Sequence, residues 1–127
     1  MPLQLIRFIS GMTDNKEEKI MMMIKAIVRP EKAENVLKNL AAQGFYSATR
    51  VSILGRGKQK GLKVSDVFYD EIPKEMIMMV VADSDVENVK KIIKESAKTG
   101  KNGAFGDGKI FLIPVSKSIT ISSGEEE

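Results

Sequence analysis

A continuous apolar segment in the second half of the chain places the strongest limit on the fold. Met76-Ile-Met-Met-Val-Val-Ala82 contains no charged or polar side chain, and such a run is typical of a central β-strand buried on both faces. The capping-box pattern Ser84-Asp-Val-Glu87 then predicts the start of a helix. Its apolar face, at helical spacing, is Val86, Val89, Ile93 and Ala97. The chain must therefore build a sheet around this strand and cover it with helices.

The remaining patterns complete a β-α-β-β-α-β order. Ile24–Arg29 and residues 46–54 are β-branched strands, and Lys109–Val115 is the last one. Between the first two strands, Pro30 suits the first turn of a helix that Gly44 ends. This order predicts an α+β fold of the ferredoxin-like type, with an antiparallel sheet and two helices on one face.

The sheet face opposite the helices is also predicted to be apolar. It would carry members of Met76–Val81 together with Ile27 and Val51. A large apolar face left uncovered marks a contact with another molecule, so the pattern predicts an oligomer.

Composition limits the chemistry that this chain can perform. Its 127 residues fit a single domain, and its net charge of +3 does not by itself indicate nucleic acid. Cys and His are both absent, which excludes disulfides, thiolate and imidazole metal sites, and Ser-His or Cys-His catalysis. We expect a binding protein without catalytic residues.

The two ends of the chain differ from the middle. Residues 1–20 combine a short apolar run with a polar stretch, and we interpret them as a flexible N-terminal extension. Residues 21–124 would form the domain, and residues 125–127 a solvated acidic tail. No segment is typical of a secretion signal or a membrane span, so we expect a cytoplasmic location.

Two glycine-rich segments are candidates for an anion site. Gly103-Ala-Phe-Gly-Asp-Gly-Lys109 resembles the start of a P-loop. However, Ile110 replaces the magnesium-binding hydroxyl, and the segment opens a strand instead of a helix. Glycines still allow backbone N–H groups to face a phosphate, and Lys109 adds a positive charge. The second segment, Gly55-Arg-Gly-Lys-Gln-Lys-Gly61, is locally cationic.

These segments belong to a wider resemblance. From Met23 to Glu125 the chain resembles the PII nitrogen-regulatory proteins of the GlnB and GlnK type, and most closely their nitrogenase-associated NifI branch. The motifs that carry the resemblance are Lys25-Ala-Ile-Val-Arg-Pro-Glu-Lys32, Gly55–Gly61, Asp66–Glu75 (which contains Ile72-Pro-Lys74), Thr99-Gly-Lys101 and Gly106-Asp-Gly-Lys-Ile-Phe111.

The resemblance implies a trimer that binds ATP or ADP in the clefts between subunits. It also implies a mobile T-loop, residues 57–72, that recognises targets, and a B-loop, residues 99–108, that holds phosphates. The nucleotide-contacting positions that it implies are Thr49, Gly57, Lys58, Val80, Gly106, Asp107, Gly108 and Lys109. The subunits would form a homotrimer or a mixed oligomer with a sister PII subunit. The target protein would be nitrogenase.

The resemblance further implies that 2-oxoglutarate is the second effector. Gln59 corresponds to the residue that coordinates Mg²⁺ together with 2-oxoglutarate, and Lys74 to the residue that pairs with its carboxylate. Mg²⁺ prefers oxygen ligands and bridges phosphates to a second anion. ATP with its metal would therefore create the 2-oxoglutarate site, which is positive coupling between two ligands.

The chain departs from the family pattern at several positions. Its B-loop is longer than usual and contains Phe105, which we expect to pack on a neighbouring subunit or an adenine. Thr120 and Ser122 stand where arginines usually reach the phosphates, so nucleotide affinity should be weaker unless Lys117 compensates. Tyr69 is out of register with the tyrosine that is uridylylated in GlnB, and we predict no such control.

Three alternative functions remain open. The first is a GlnK-like regulator of an ammonium transporter or of another enzyme of nitrogen metabolism. An RNA-binding RRM shares the β-α-β-β-α-β order, but the strands that would stack bases carry no aromatic residue. An enzyme on the same fold would need a nucleophile and a base, and no such pair is visible.

Overall fold

The computed structural model describes residues 20–56, 62–64, 67–69 and 71–127, with the backbone alone in the two short segments. These residues form six strands and two α-helices. Their bounds are β1 (Met21–Val28), α1 (Pro30–Ala42), β2 (Thr49–Gly55), β3 (Leu62–Val64), β4 (Val67–Tyr69), β5 (Ile72–Ala82), α2 (Val86–Ala97) and β6 (Gly108–Val115).

The four long strands form one antiparallel sheet in the order β2-β5-β1-β6. The short strands β3 and β4 pair only with each other, between β2 and β5. Without this hairpin the chain has the predicted β-α-β-β-α-β order, and the arrangement confirms the ferredoxin-like α+β fold.

One face of the sheet carries the hydrophobic core. Alternate residues of β1 and β5 point to this face, where α1 and α2 cover them. The largest fully buried side chains are Ile24, Val28, Val36, Leu40, Ile77, Val89 and Ile93. Each large aliphatic side chain that is fully buried contributes about 1.5–3 kcal/mol. The helices therefore stabilise one face of the sheet and leave its other face uncovered.

We call that other face the open sheet face. The strand register assigns to it Met23, Lys25, Ile27, Thr49, Val51, Ile53, Lys74, Met76, Met78, Val80, Lys109, Phe111 and Ile113. Among its apolar members, Val51, Val80, Phe111 and Ile113 are each 38–46% exposed. The predicted uncovered apolar face is thus confirmed, and a patch of this kind marks a contact surface.

Several sequence predictions about element ends were wrong. The central strand begins at Ile72 and not at Met76, and it includes Glu75, whose carboxylate accepts hydrogen bonds from Arg50 and Ser52. The capping box does not form, since no side chain caps α2. An N-cap residue has an extended backbone, whereas Ser84 lies in the 3-10 turn Asp83–Asp85. The second strand also begins three residues later than predicted, at Thr49 instead of residue 46.

Both ends of the described chain make backbone hydrogen bonds. Residues 1–19 of the predicted extension lie outside the described residues, and the Ile20 carbonyl accepts a hydrogen bond from the Asp83 N–H at 2.8 Å. Ser118 and Glu127 exchange both backbone hydrogen bonds, so the acidic residues 125–127 have exposed side chains on a paired backbone. Neither of the two described helices is long and apolar enough to cross a bilayer.

Candidate functional site

The B-loop, between α2 and β6, closes tightly against the end of β1. Gly106 and Gly108 have φ values of +90° and +116°, a region that glycine adopts without steric cost. A Cβ on Gly108 would lie 1.7 Å from the carbonyl oxygen of Ile27. Glycine at position 108 is therefore required for the backbone to approach β1.

The carboxylate of Asp107 organises this loop from inside. It accepts hydrogen bonds from the Thr99 hydroxyl at 2.6 Å and from the Thr99 and Ala104 N–H groups, both at 2.9 Å. A fourth bond comes from Arg29 Nε at 3.0 Å. These hydrogen bonds hold the pKa of the Asp107 carboxyl well below its usual range, and the bond from the Thr99 hydroxyl has the largest effect. Its carboxylate thus shapes the loop, and its predicted contact with a nucleotide stays a prediction.

Arg29 is a site residue that the sequence analysis did not select. Besides its ion pair with Asp107, it donates a hydrogen bond from Nη2 to the Phe105 carbonyl at 2.6 Å. Its planar guanidinium carries several donors in a fixed geometry, so it joins the end of β1 to both sides of the loop tip. Arg29 lies within one of the motifs that carry the family resemblance, and so does Thr99. Their place in these motifs is the sequence feature that could have identified both residues.

Two lysines on the open sheet face lie near this loop. The Lys74 ammonium donates a hydrogen bond to the Gly106 carbonyl, although the two residues are 32 positions apart. Lys109 begins the same face of β6, opposite Ile27 of β1. The fold therefore brings Lys74 together with the predicted Gly106–Lys109 segment.

The donor set of this corner fits an anionic ligand. Lys74 and Lys109 supply positive charge, and an ammonium has three donors, so Lys74 can bind an anion and still contact Gly106. The carboxylate of Asp107 is paired with Arg29 and does not oppose an approaching anion. A loop of glycines that is already held in shape binds with less loss of conformational entropy.

The other predicted site residues are not gathered at this corner. Val80 lies on the open sheet face six residues from Lys74 along β5, a separation of about 20 Å at roughly 3.3 Å per residue. Thr49 lies beside Met78 toward the same far end. The predictions for Gly57, Lys58 and Gln59 fall outside the described residues. One chain therefore carries two separate groups of predicted site residues.

A second polar cluster joins β2 and β5, the strands on either side of the predicted T-loop. Glu75, 9% exposed, accepts hydrogen bonds from Arg50 Nε at 2.9 Å and from the Ser52 hydroxyl at 2.8 Å. Arg50 also pairs with Glu34 of α1 at 3.1 Å. The two hydrogen bonds to its carboxylate hold the pKa of Glu75 below its usual range. This cluster explains how a polar segment continues the central strand.

The Asp107 contacts predict a particular acid sensitivity. A depressed carboxyl pKa contributes stability that is fully present above the ordinary value, here 3.8, and is lost as the pH falls through the folded value. Wild-type protein should lose stability on acidification more steeply than Asp107→Asn, which should be the less stable of the two at neutral pH. Urea midpoints across the acid range measure both profiles, and parallel profiles would contradict the assignment.

A family comparison shows the class of regulatory protein to which this fold and glycine-rich corner belong. Residues 21–125 match the family Nitrogen regulatory protein P-II. The chain belongs to this family, a family of signalling proteins, and the resemblance drawn from its motifs is confirmed.

Its relatives identify the branch more closely. The chain is 49% identical over 106 residues to the nitrogen fixation nifHD region GlnB-like protein 1 of Methanothermobacter marburgensis, covering 84% of this chain and 98% of the relative. It is 52% identical over 106 residues to the nifHD2 region GlnB-like protein 1 of Methanosarcina barkeri, with the same coverage. A crystal structure of Arabidopsis thaliana PII bound to citrate aligns with a TM-score of 0.68 and 32% identity, covering 87% of this chain and 88% of that one.

Proposed function

We propose that this PII-type protein senses ATP or ADP together with 2-oxoglutarate and regulates nitrogenase through its T-loop. The relatives that carry nifHD region names support the choice of nitrogenase. The citrate-bound PII structure supports a polycarboxylate site within the family. The matched family favours a regulator over an RNA-binding module.

The observation that carries the proposal is the contact between Lys74 and the B-loop. Lys74 is the residue proposed to bind the 2-oxoglutarate carboxylate, and its ammonium is hydrogen-bonded to Gly106 of the proposed phosphate loop. One side chain thus touches both proposed ligand sites. An effector on Lys74 and a nucleotide on Gly106–Lys109 would then share a donor, which is a physical basis for coupling.

The division of site residues within one chain supports a site formed between copies. A nucleotide held by Gly106–Lys109 would lie about 20 Å from Val80 of the same chain. In a trimer, the Thr49 and Val80 end of one open sheet face can meet the B-loop end of its neighbour. The apolar, uncovered face supplies the surface for such an assembly, either as a homotrimer or with a sister PII subunit.

Gln59 is the proposed ligand of Mg²⁺ beside the nucleotide and 2-oxoglutarate. When bound, the metal would neutralise phosphate charge and supply coordination positions for a second chelating anion. The contribution of the chain is to position Lys74 and the cationic loop next to that centre. We propose that the protein acts in the cytoplasm.

Calorimetry tests the proposal directly. We expect 2-oxoglutarate to bind when Mg-ATP is present, and to bind at least about tenfold more weakly with ADP, in line with typical coupling of 1–3 kcal/mol. A Gln59→Ala variant should lose this difference and retain nucleotide binding. Equal 2-oxoglutarate heats with and without nucleotide would contradict the proposed mechanism.

Affinity capture from nitrogen-fixing cells tests the target. We expect nitrogenase to bind in one ligand state, either ADP or Mg-ATP with 2-oxoglutarate, and to be released in the other. Capture of an ammonium transporter in place of nitrogenase would move the assignment to a GlnK-like regulator.

A further inference from the structure

The B-loop contains an Asn102-Gly103 dipeptide that the proposed function does not use. Gly103 has a φ of +80°, and a Cβ there would lie 3.3 Å from Asp107 Oδ2 and 3.3 Å from Lys98 Cγ. Glycine adopts this backbone angle without steric cost, so the shape of the loop favours glycine at position 103. The residue before it, Asn102, is exposed in a turn. Its side chain takes part in none of the side-chain hydrogen bonds found among the described residues.

This dipeptide carries both groups of an intramolecular reaction. The Gly103 backbone nitrogen, after losing its proton, can attack Cγ of the Asn102 side chain and form an N–Cγ bond. The Cγ–Nδ2 bond then breaks, and Nδ2 leaves as ammonia with the proton that the nitrogen gave up. Water opens the resulting five-membered imide at either carbonyl, which gives aspartate or isoaspartate. Glycine leaves the attack unhindered because it has no Cβ, and water is the only other reactant.

The folded B-loop restrains the attacking nitrogen. The Gly103 N–H donates a hydrogen bond to the Thr99 carbonyl at 2.9 Å. Thr99 is itself fixed by the Asp107 carboxylate, which accepts bonds from its hydroxyl at 2.6 Å and from its N–H at 2.9 Å. The nitrogen can attack only after its own hydrogen bond opens. The reaction rate therefore depends on how often the loop opens locally, and Asp107 protects Asn102 through Thr99.

We infer that Asn102 is a site of spontaneous deamidation, and that the contacts between Asp107 and Thr99 set its rate. Both products add a negative charge to the loop. Isoaspartate also lengthens the backbone by one carbon atom between Thr99 and Ala104, the two residues whose N–H groups the Asp107 carboxylate binds. That carboxylate spans a fixed distance, so the isoaspartate form loses part of the bonding and the B-loop loosens as the protein ages.

The test follows deamidation during incubation of the folded protein in mildly alkaline buffer. The samples are wild-type protein, Asn102→Gln, Thr99→Val, which removes the hydroxyl donor, and Thr99→Ser, which keeps it. Digestion in acid stops the reaction, and mass spectrometry with electron-transfer fragmentation locates each gain of one mass unit and distinguishes isoaspartate. Every sample contains internal controls, namely the asparagines that lie within α1 and α2 and precede valine or leucine: Asn35, Asn39 and Asn88.

Thr99→Val should deamidate at Asn102 at least about tenfold faster than wild-type protein, as expected for losing a hydrogen bond to a charged group. Thr99→Ser should keep the wild-type rate, and the helical asparagines should stay unmodified in all samples. No gain of mass at Asn102 in Thr99→Val overturns the site. Equal rates in Thr99→Val and wild-type protein, or acceleration that includes the helical asparagines, overturn the control by the loop.

Urea unfolding of the incubated samples tests the loosening. The urea midpoint of wild-type protein should fall as its isoaspartate content rises, whereas Asn102→Gln, incubated for the same time, should keep its midpoint. Wild-type protein that has accumulated isoaspartate at position 102 and retains its original midpoint would show that the product does not disturb the Asp107 contacts, and would overturn this part of the inference.

Discussion

Replacing Lys74 with alanine is expected to remove 2-oxoglutarate binding while nucleotide binding persists. The ammonium of Lys74 touches the B-loop through the Gly106 carbonyl and lies on the open sheet face near Lys109. Loss of a hydrogen bond to a charged group costs about 1.5–3 kcal/mol, or roughly 10- to 100-fold in affinity. Calorimetry with Mg-ATP present should therefore show little or no 2-oxoglutarate heat.

Two comparisons sharpen this experiment. Lys91→Ala removes an exposed lysine of α2 and should leave both ligands unaffected. ATP affinity of Lys74→Ala should fall less than 2-oxoglutarate affinity, because Lys109 and the Asp107-bonded loop remain. A variant that retains full 2-oxoglutarate affinity would remove Lys74 from the effector site. A variant that loses both ligands equally would assign it a structural role in the B-loop.

Replacing Gly108 with alanine is expected to be the most damaging single-methyl change in the site. The added Cβ would lie 1.7 Å from the Ile27 carbonyl oxygen and 2.8 Å from the Ile27 carbonyl carbon. Both contacts are with backbone, so no side-chain rotation relieves them, and β6 would have to move away from β1. We expect a loss above the roughly 0.5–3 kcal/mol typical of point mutants, measured as a fall in the urea midpoint.

Gly44→Ala is the matched control for this prediction. Gly44 has a similar backbone angle, φ +93°, but a Cβ there meets nothing within 4 Å. The Gly44→Ala substitution should lower the free energy of unfolding only by the strain of a left-handed residue, about 1–2 kcal/mol. Equal losses for the two variants would show that the approach of Gly108 to Ile27 is not the controlling contact.

Much of the architecture could be anticipated from local patterns. The apolar run at 76–82, the helical spacing after Pro30 and the alternation along each strand depend on residues close together in the chain. These patterns gave the order of elements, the ferredoxin-like sheet and the apolar open sheet face, all of which the structure has. Where polar residues interrupt a pattern, local reasoning failed. Glu75 lies within the central strand, where Arg50 and Ser52 of the neighbouring strand donate hydrogen bonds to its carboxylate.

The arrangement of the site could not be obtained in this way. Arg29 and Asp107 are 78 positions apart, and Lys74 and Gly106 are 32 apart. Their contacts arise because β1 and β6 pair in a register that opposes Val28 to Gly108. Periodicity identifies which face of a strand a side chain occupies, but it contains no information about which residue of another strand lies opposite. Strand order, register and the backbone approach at Gly108 are properties of the packed chain, and they convert separate motifs into one cationic corner.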